Sequence, residues 1–330
     1  MKTYYLGVDV GGTKCHALIS DETGQAAGFG EAGPGNHEAV GYPGLIAALQ
    51  EVTGKALTSA GLVMDQIAGA GFGVAGYDWP SERQPTLDAI ATLGLTCPVE
   101  AVNDTIIGLL AGSEQGWGVA VVAGTGCNCW GWDQQHRIGR VTGCGGFGEH
   151  GGAGDLVHSA INAVAYEWSR RGPSTQLSQA FTQLVGAKDL PDLLEGLTMG
   201  KYYIGSHAAP LVFQVAAAGD PVAREVIRWN GSELGELANA VIRQLNFESS
   251  SFEVVLVGSL YEGGSLLIDP MRETIHSIAP AARLVRLNAP PVVGGTLLGM
   301  DQGGLNAPQF RAALVESTRK LIHSVQNLIV

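Results

Sequence analysis

Residues 4–19 decide how this chain is read: Tyr4-Tyr5-Leu6-Gly7-Val8-Asp9-Val10-Gly11-Gly12-Thr13-Lys14-Cys15-His16-Ala17-Leu18-Ile19. Two apolar runs of strand length flank a Gly-Gly-Thr turn. The same grammar returns one domain later. Gly118-Val119-Ala120-Val121-Val122 leads into Ala123-Gly124-Thr125-Gly126-Cys127-Asn128, and Cys129-Trp130-Gly131-Trp132 follows. Glycine lets backbone N–H groups approach an anionic ligand closely, and Thr13 or Thr125 adds a hydroxyl donor. Two such turns suggest two clamps around one polyphosphate.

Outward from the first hairpin, strand-like runs cover 4–10, 13–20, 26–31, 68–75 and 99–103, with helical patterns at 38–60 and 104–112. Strands joined by tight turns, then strand–helix–strand units, predict a mixed α/β sheet. The plan restarts near Trp117. Helices are expected near 155–170, 206–217, 220–246 and 264–278, and strands near 253–258 and 283–287. This predicts a duplicated architecture, although sequence self-similarity is confined to the Gly-Thr hairpins. Pro290-Pro291 breaks the chain before an apolar helix starting near Val292. Its Gly294-Gly295 pair permits tight packing or hinge motion. In the tail, Phe310, Leu314, Leu321, Val325 and Leu328 form the stripe of an amphipathic helix. That stripe either packs back across a domain or meets a second copy in a homodimer.

At 330 residues, two domains are the natural expectation. Hydrophobic content of 45% with 15% charged residues describes a compact globular protein. The formal charge of −12 argues against nonspecific nucleic-acid binding, which needs clustered Lys and Arg. No apolar run is long enough to span a bilayer. The first residues lead straight into a strand-like segment without signal-peptide features, so a cytoplasmic protein is expected. Five scattered cysteines, Cys15, Cys97, Cys127, Cys129 and Cys144, suit reduced thiols better than a disulfide framework.

Several polar residues sit where chemistry is expected. Asp9 ends a strand beside the first turn, where a carboxylate either holds Mg²⁺ through water or stabilises the turn. Lys14 either neutralises phosphate or faces solvent. Asp104 follows strand 99–103 and opens the apolar helix, a place suited to an N-cap. Asn103 orients that loop. Asn36 and His37 follow the loop-forming Gly33-Pro34-Gly35 and offer groups that can bond sugar hydroxyls. The 143–154 segment holds seven glycines and can wrap a ligand. In it Phe147 offers an apolar face to a pyranose or serves as a core aromatic. Trp130 and Trp132 share a strand face with Asn128 and are read as packing. Tyr77-Asp78-Trp79 is a loop able to line a cleft.

The ordered set is Asp9-Val10-Gly11-Gly12-Thr13-Lys14, Gly35-Asn36-His37, Asn103-Asp104, Ala123-Gly124-Thr125-Gly126-Cys127-Asn128, Gly143-Cys144-Gly145-Gly146-Phe147-Gly148 and Val257-Gly258-Ser259. It resembles the N-acetylglucosamine kinase and BadF/BadG/BcrA/BcrD-type ATPase family, within the superfamily shared by actin and the sugar kinases. The resemblance spans roughly residues 4 to 300. It implies an α/β fold of two actin-like (ribonuclease H-like) domains, each a mixed five-stranded sheet flanked by helices, around a central cleft. Residues 1–113 with 301–330 form one domain and 114–300 the other, since the family returns its last helix to the N-terminal domain.

The resemblance further implies ATP and Mg²⁺ as cofactors. Gly11, Gly12, Thr13, Lys14, Gly124, Thr125 and Gly126 would hold the phosphates, Gly258 and Ser259 the adenosine, and Asp9 the metal. Asp104 would be the general base that accepts the proton of a sugar hydroxyl. Asn36, His37, Asn103, Asn128, Gly145, Gly146 and Phe147 would meet the sugar. The chain departs from the family where relatives carry Gly-Asp-Glu-Gly-Ser, and has Gly151-Gly152-Ala153-Gly154-Asp155 instead. Glu149 or Asp155 could substitute, or Asp155 simply caps the next helix.

The reading is therefore an ATP-dependent kinase that phosphorylates an amino sugar, with N-acetylglucosamine at its 6-hydroxyl as the expected acceptor. Two rivals remain at this point. One is a BadF-type electron-transfer activator of acyl-CoA dehydratases or reductases carrying a [4Fe–4S] cluster. The other is a non-catalytic sugar- or ATP-binding module.

Overall fold

The computed structural model of the chain describes residues 2–143 and 147–327. The first hairpin forms as expected. β1 (Tyr4–Val10) and β2 (Cys15–Asp21) pair antiparallel, and β3 (Ala26–Ala32) extends them. The Gly11 N–H donates to the Lys14 carbonyl at 3.1 Å and closes the turn. α1 (His37–Ala60) returns the chain to β4 (Ile67–Val74), and α2 (Arg83–Ala91) to β5 (Val99–Asn103). Both strands lie parallel to β1, in the order β3-β2-β1-β4-β5. α3 (Asp104–Gly112) follows β5 directly.

The second passage repeats this plan. β6 (Gly118–Ala123), β7 (Cys127–Trp132) and β8 (Ile138–Arg140) form the antiparallel part. Five helices follow: α4 (Ala153–Trp168), α5 (Gln176–Val185), α6 (Leu190–Thr198), α7 (Ala209–Ala217) and α8 (Pro221–Leu245). β9 (Glu253–Val257), α9 (Ser265–His276) and β10 (Arg283–Arg286) complete a sheet ordered β10-β9-β6-β7-β8. In each sheet the first strand is central, with an antiparallel hairpin on one side and two parallel strands on the other. The duplication lives in topology rather than in side chains.

β1 is buried nearly throughout instead of alternating, because helices cover both of its faces. α1 packs along β2 and β3, while α10 (Val292–Gln302) lies on β1 and β4. α3 meanwhile presents Ile106, Ile107, Leu109 and Leu110 to Ala120, Trp130, Trp132 and Val255 of the second sheet. The two helices cross between the sheets. Their close seating depends on missing side chains: a Cβ added to Gly294 would press on the Ile107 carbonyl and come 3.0 Å from the Ala111 nitrogen, and one on Gly295 would come 3.1 Å from the Val8 nitrogen. Tight packing is thus the role the Gly294-Gly295 pair takes. α10 thus packs chiefly on the first sheet.

The tail forms α11 (Arg311–Asn327). Leu314 is fully buried against Tyr5 and Leu18, and Phe310 and Leu321 join that cluster, so the stripe packs on the first sheet. The Val325 side chain and all of Leu328 lie outside the described residues. Arg311 crosses to α3, where its guanidinium donates to the carbonyls of Ala111 (2.7 Å) and Gly112 (3.1 Å). This places positive charge at a helix C-terminus, where it is favourable. The sequence reading missed α2, α5 and α6. They are short and bury few residues: α2 buries Thr86, Ala89 and Ile90, and α5 only Leu177 and Phe181.

Candidate active site

The C-terminal end of β1 gathers the pieces of one site. The Val10 carbonyl accepts from Ala75 N–H at 2.9 Å, which anchors the loop holding Tyr77, Asp78 and Trp79. The Gly11 carbonyl accepts from Gly35 N–H at 3.1 Å, which anchors the loop holding Asn36. A Cβ on Gly35 would come 2.7 Å from the Cys15 Sγ, so that loop lies directly on the hairpin. Gly12 at the tip faces open space: an added Cβ would meet nothing within 4 Å.

Asp104 begins α3, yet the cap belongs to its neighbour. The Asn103 Oδ1 accepts from Thr105 N–H at 2.9 Å, so Asn103 fills the capping role that composition allowed to Asp104. Asp104 is half-buried, and its carboxyl is pushed up to about 7. Loss of water is the main cause, followed by the negative charges of Asp9 and then Asp78. The N-terminal end of a helix pulls a carboxyl the other way, and here burial and like charge win.

Asp9 faces His16 on the neighbouring strand, with Oδ2 3.9 Å from Nδ1. The other ring nitrogen of His16 meets Glu31 at 3.0 Å. The Lys14 ammonium also turns to Glu31, at 3.5 Å. Asn36 caps α1 through Glu38 N–H at 2.9 Å and packs against Gly76, whose φ of +81° leaves room for it. His37 stacks on Tyr42 with ring centroids 4.7 Å apart, and its Nε2 lies 3.4 Å from Glu82. It is therefore turned into the packing of α1.

The second hairpin is braced from behind. Ala153 and Gly154 in the first turn of α4 donate to the carbonyls of Gly124 (2.8 Å) and Thr125 (3.0 Å). A Cβ on Gly152 would come 2.6 Å from the Gly126 Cα, so only glycine permits this seating. Gly124 and Gly126 themselves face open space. Asp155 accepts from Gly152 N–H at 3.1 Å, which is the helix-start role rather than a substrate role. Glu149 is buried, with its Oε1 accepting from Thr142 N–H. Phe147 is 78% exposed, so it is no core aromatic. Gly145 and Gly146, with Cys144, lie outside the described residues.

Beside the second hairpin opens a cavity of about 480 Å³, lined by Gly124, Thr125, Ser259, His207 and Phe213 among others. Gly258 lets the chain enter it. At φ +111° it presses against the Ala123 carbonyl, where a side chain would not fit. Phe213 lies over Gly263 on the same wall. Nothing in the sequence pointed to Ser206–Ala208 and α7 as that wall, because no local motif marks it.

Asp78, in the loop that the sequence marked as able to line a cleft, gains partners that the sequence did not show. Its Oδ1 accepts from the Asn103 Nδ2 at 3.1 Å and from the Asn128 Nδ2 at 3.3 Å, one donor from each sheet. Trp130 and Trp132 are buried against α3, as packing. Burial pushes the Cys127 thiol up to about 12 and holds Cys129 well above its ordinary value. Among the described residues no helix is long and apolar enough to cross a membrane.

A sequence model of the BadF/BadG/BcrA/BcrD ATPase family matches residues 6–299. The chain belongs to that family. Two relatives within reach are the N-acetylmuramic acid/N-acetylglucosamine kinase of Clostridium acetobutylicum and the N-acetyl-D-glucosamine kinase of Dictyostelium discoideum. The first is 25% identical over 305 residues, covering 91% of this chain and 99% of that protein. The second is 24% identical over 314 residues, covering 91% and 98%. A crystal structure from Chromobacterium violaceum superposes with a TM-score of 0.65 at 23% identity, covering 90% of this chain and 98% of the other. The two-sheet architecture of this BadF/BadG/BcrA/BcrD-family ATPase is thus a shared fold.

Proposed function

We propose that the protein transfers the γ-phosphoryl group of ATP to an amino sugar, with the 6-hydroxyl of N-acetylglucosamine as acceptor. The observation that carries this reading is the Asp104 carboxyl, poised near neutrality beside Asp9 and the first Gly-Thr hairpin. A general base works best when its proton affinity lies near the operating pH. The two curated relatives named for amino-sugar kinase activity support the substrate class.

The residues present fit a nucleoside triphosphate. At Gly12, Gly124 and Gly126 an added Cβ would enter open space, so phosphate oxygens could approach the backbone of both turns closely. Gly11, Thr13 and Lys14 would complete the first clamp, Thr125 the second, and the cavity at Gly258 and Ser259 would take the adenosine. Asp9 would hold Mg²⁺ through water, and the ion would offset phosphate charge. As the sugar oxygen attacks the γ-phosphorus in line, its proton passes to Asp104 and the β–γ bridging oxygen leaves with ADP. Asn36, Asn128 and the turn at Gly145, Gly146 and Phe147 would hold the sugar. Asn103 would fix Asp104, and His37 would support the Asn36 loop from behind. ATP as donor goes with a cytoplasmic setting.

Incubation with Mg-ATP and a panel of sugars, read by mass, tests this. The expected product is N-acetylglucosamine 6-phosphate. ATP consumption without any phosphosugar would contradict the proposal.

A further inference from the structure

The loop after β4 belongs to the first sheet but also makes side-chain contacts with the second. Asp78 takes a hydrogen bond from Asn128 on β7, and its Oδ1 lies 2.9 Å from where a Cβ on Gly143 would stand. The adjacent Trp79 stacks on the Arg140 guanidinium of β8 at 4.4 Å, while the Trp130 ring faces the same guanidinium at 5.4 Å. On its own side the loop is tied by Asn103, whose Nδ2 reaches both the Tyr77 carbonyl (3.2 Å) and Asp78 (3.1 Å). Asn103 in turn caps the helix that begins with Asp104. One carboxylate thus joins the residue beside the candidate base to a residue on the opposite wall.

We propose that Asp78 is a positioning residue for phosphoryl transfer, fixing Asn103 and Asn128 in one frame so that Asp104 and the acceptor meet in a single geometry. The inference rests on the kinase reading above.

A plain strut accounts less well for what stands here. Burial makes a carboxylate costly, and the side-chain donors to Asp78 are two neutral amides. Glu38 and Glu82 add negative charge around it, with Arg140 the compensating cation, and its own carboxyl is raised, chiefly by burial. An uncharged amide would accept from Asn103 and Asn128 without that cost but more weakly, since a hydrogen bond to an ionised acceptor is roughly twice as strong, so the tie would loosen. A retained charge at such a place is a mark of function. It also acts on Asp104 directly, since Asp78 and Asp9 are the two charges that raise the base.

The test is Asp78→Asn, with Asp104→Asn run beside it and stability followed by urea unfolding. Asp78→Asn is expected to fold and to leave the KM for ATP within about twofold. Its kcat should fall about 10- to 100-fold, as displacement of a reacting group does. The acid limb of its kcat/KM–pH profile should move down by about half a unit or more as one like charge is removed. Asn128→Ser, which keeps the charge but cuts the tie, should lower kcat without moving that limb. If Asp78→Asn fails to fold, Asn128→Ser carries the test alone: normal kcat there overturns the proposal. Unchanged kcat and an unmoved limb in a folded Asp78→Asn also overturn it, while an inactive Asp104→Asn leaves the kinase reading intact. An active Asp104→Asn sinks that reading instead.

Discussion

Gly294 of α10 meets the Ile107 carbonyl of α3 with no space for even a methyl group between them. This contact holds the helix that starts at Asp104 against the helix that covers β1. Gly294→Ala is therefore expected to cost about 2–3 kcal/mol, the range for overpacking a rigid backbone contact. Urea unfolding measures it. A loss below about 0.5 kcal/mol would mean the helices have slack.

Gly124 makes the opposite case. Its added Cβ would meet nothing within 4 Å, so Gly124→Ala should leave the unfolding midpoint nearly unchanged. It would nonetheless place a methyl group where phosphate is expected. The KM for ATP should rise about tenfold or more, equivalent to about 1.4 kcal/mol. Equal KM values would move the phosphate site away from this turn.

The charge cluster has a pH signature. Asp104 is raised to about 7, and only its ionised form accepts a proton. Activity should fall as pH drops through about 7, with one proton taken up, and kcat/KM against pH, which reports the free enzyme, reads this. Stability has the opposite sign. The folded protein binds the Asp104 proton more tightly than the unfolded chain does, so this group's stabilising contribution is complete below about pH 4. It is lost as pH rises toward and through about 7. Asp104→Asn should accordingly raise Tm relative to the parent at pH 8 more than at pH 5. Each kcal/mol relieved corresponds to about 2–4 °C.

Phe213 offers a test of the adenosine cavity. It lies over Gly263 in the cavity that Gly124 and Thr125 also line. Phe213→Ala should weaken ATP about tenfold, as loss of a packed aromatic does, while the KM for sugar stays put. A shift in the sugar KM alone would reassign that cavity.

The architecture was legible because its signals are local. Val8, Val10, Ala17 and Ile19 read as strand, Gly11-Gly12 as turn, and the same pattern around Gly124 announced the second sheet. Asp104 at a strand–helix junction was legible for the same reason. What escaped the sequence depends on distant partners. α5 and α6 are short helices that bury few residues, Leu177 and Phe181 in one and Leu193 and Gly196 in the other. Asp78 is one acid in a polar loop until Asn103, Asn128 and Gly143 arrive from 25, 50 and 65 positions downstream. The wall formed by His207 and Phe213 likewise exists only after α7 folds against the turn at Ser259. Asp104 as a cap was the misleading local signal, since the cap bond goes to Asn103.

The most direct measurement is turnover by Asp104→Asn, with Mg-ATP and N-acetylglucosamine at saturation and both ligands' binding measured by calorimetry. The account predicts that binding of each ligand survives and that kcat falls about 10²- to 10⁴-fold, the contribution of a positioned base. Intact binding with near-normal turnover would contradict it.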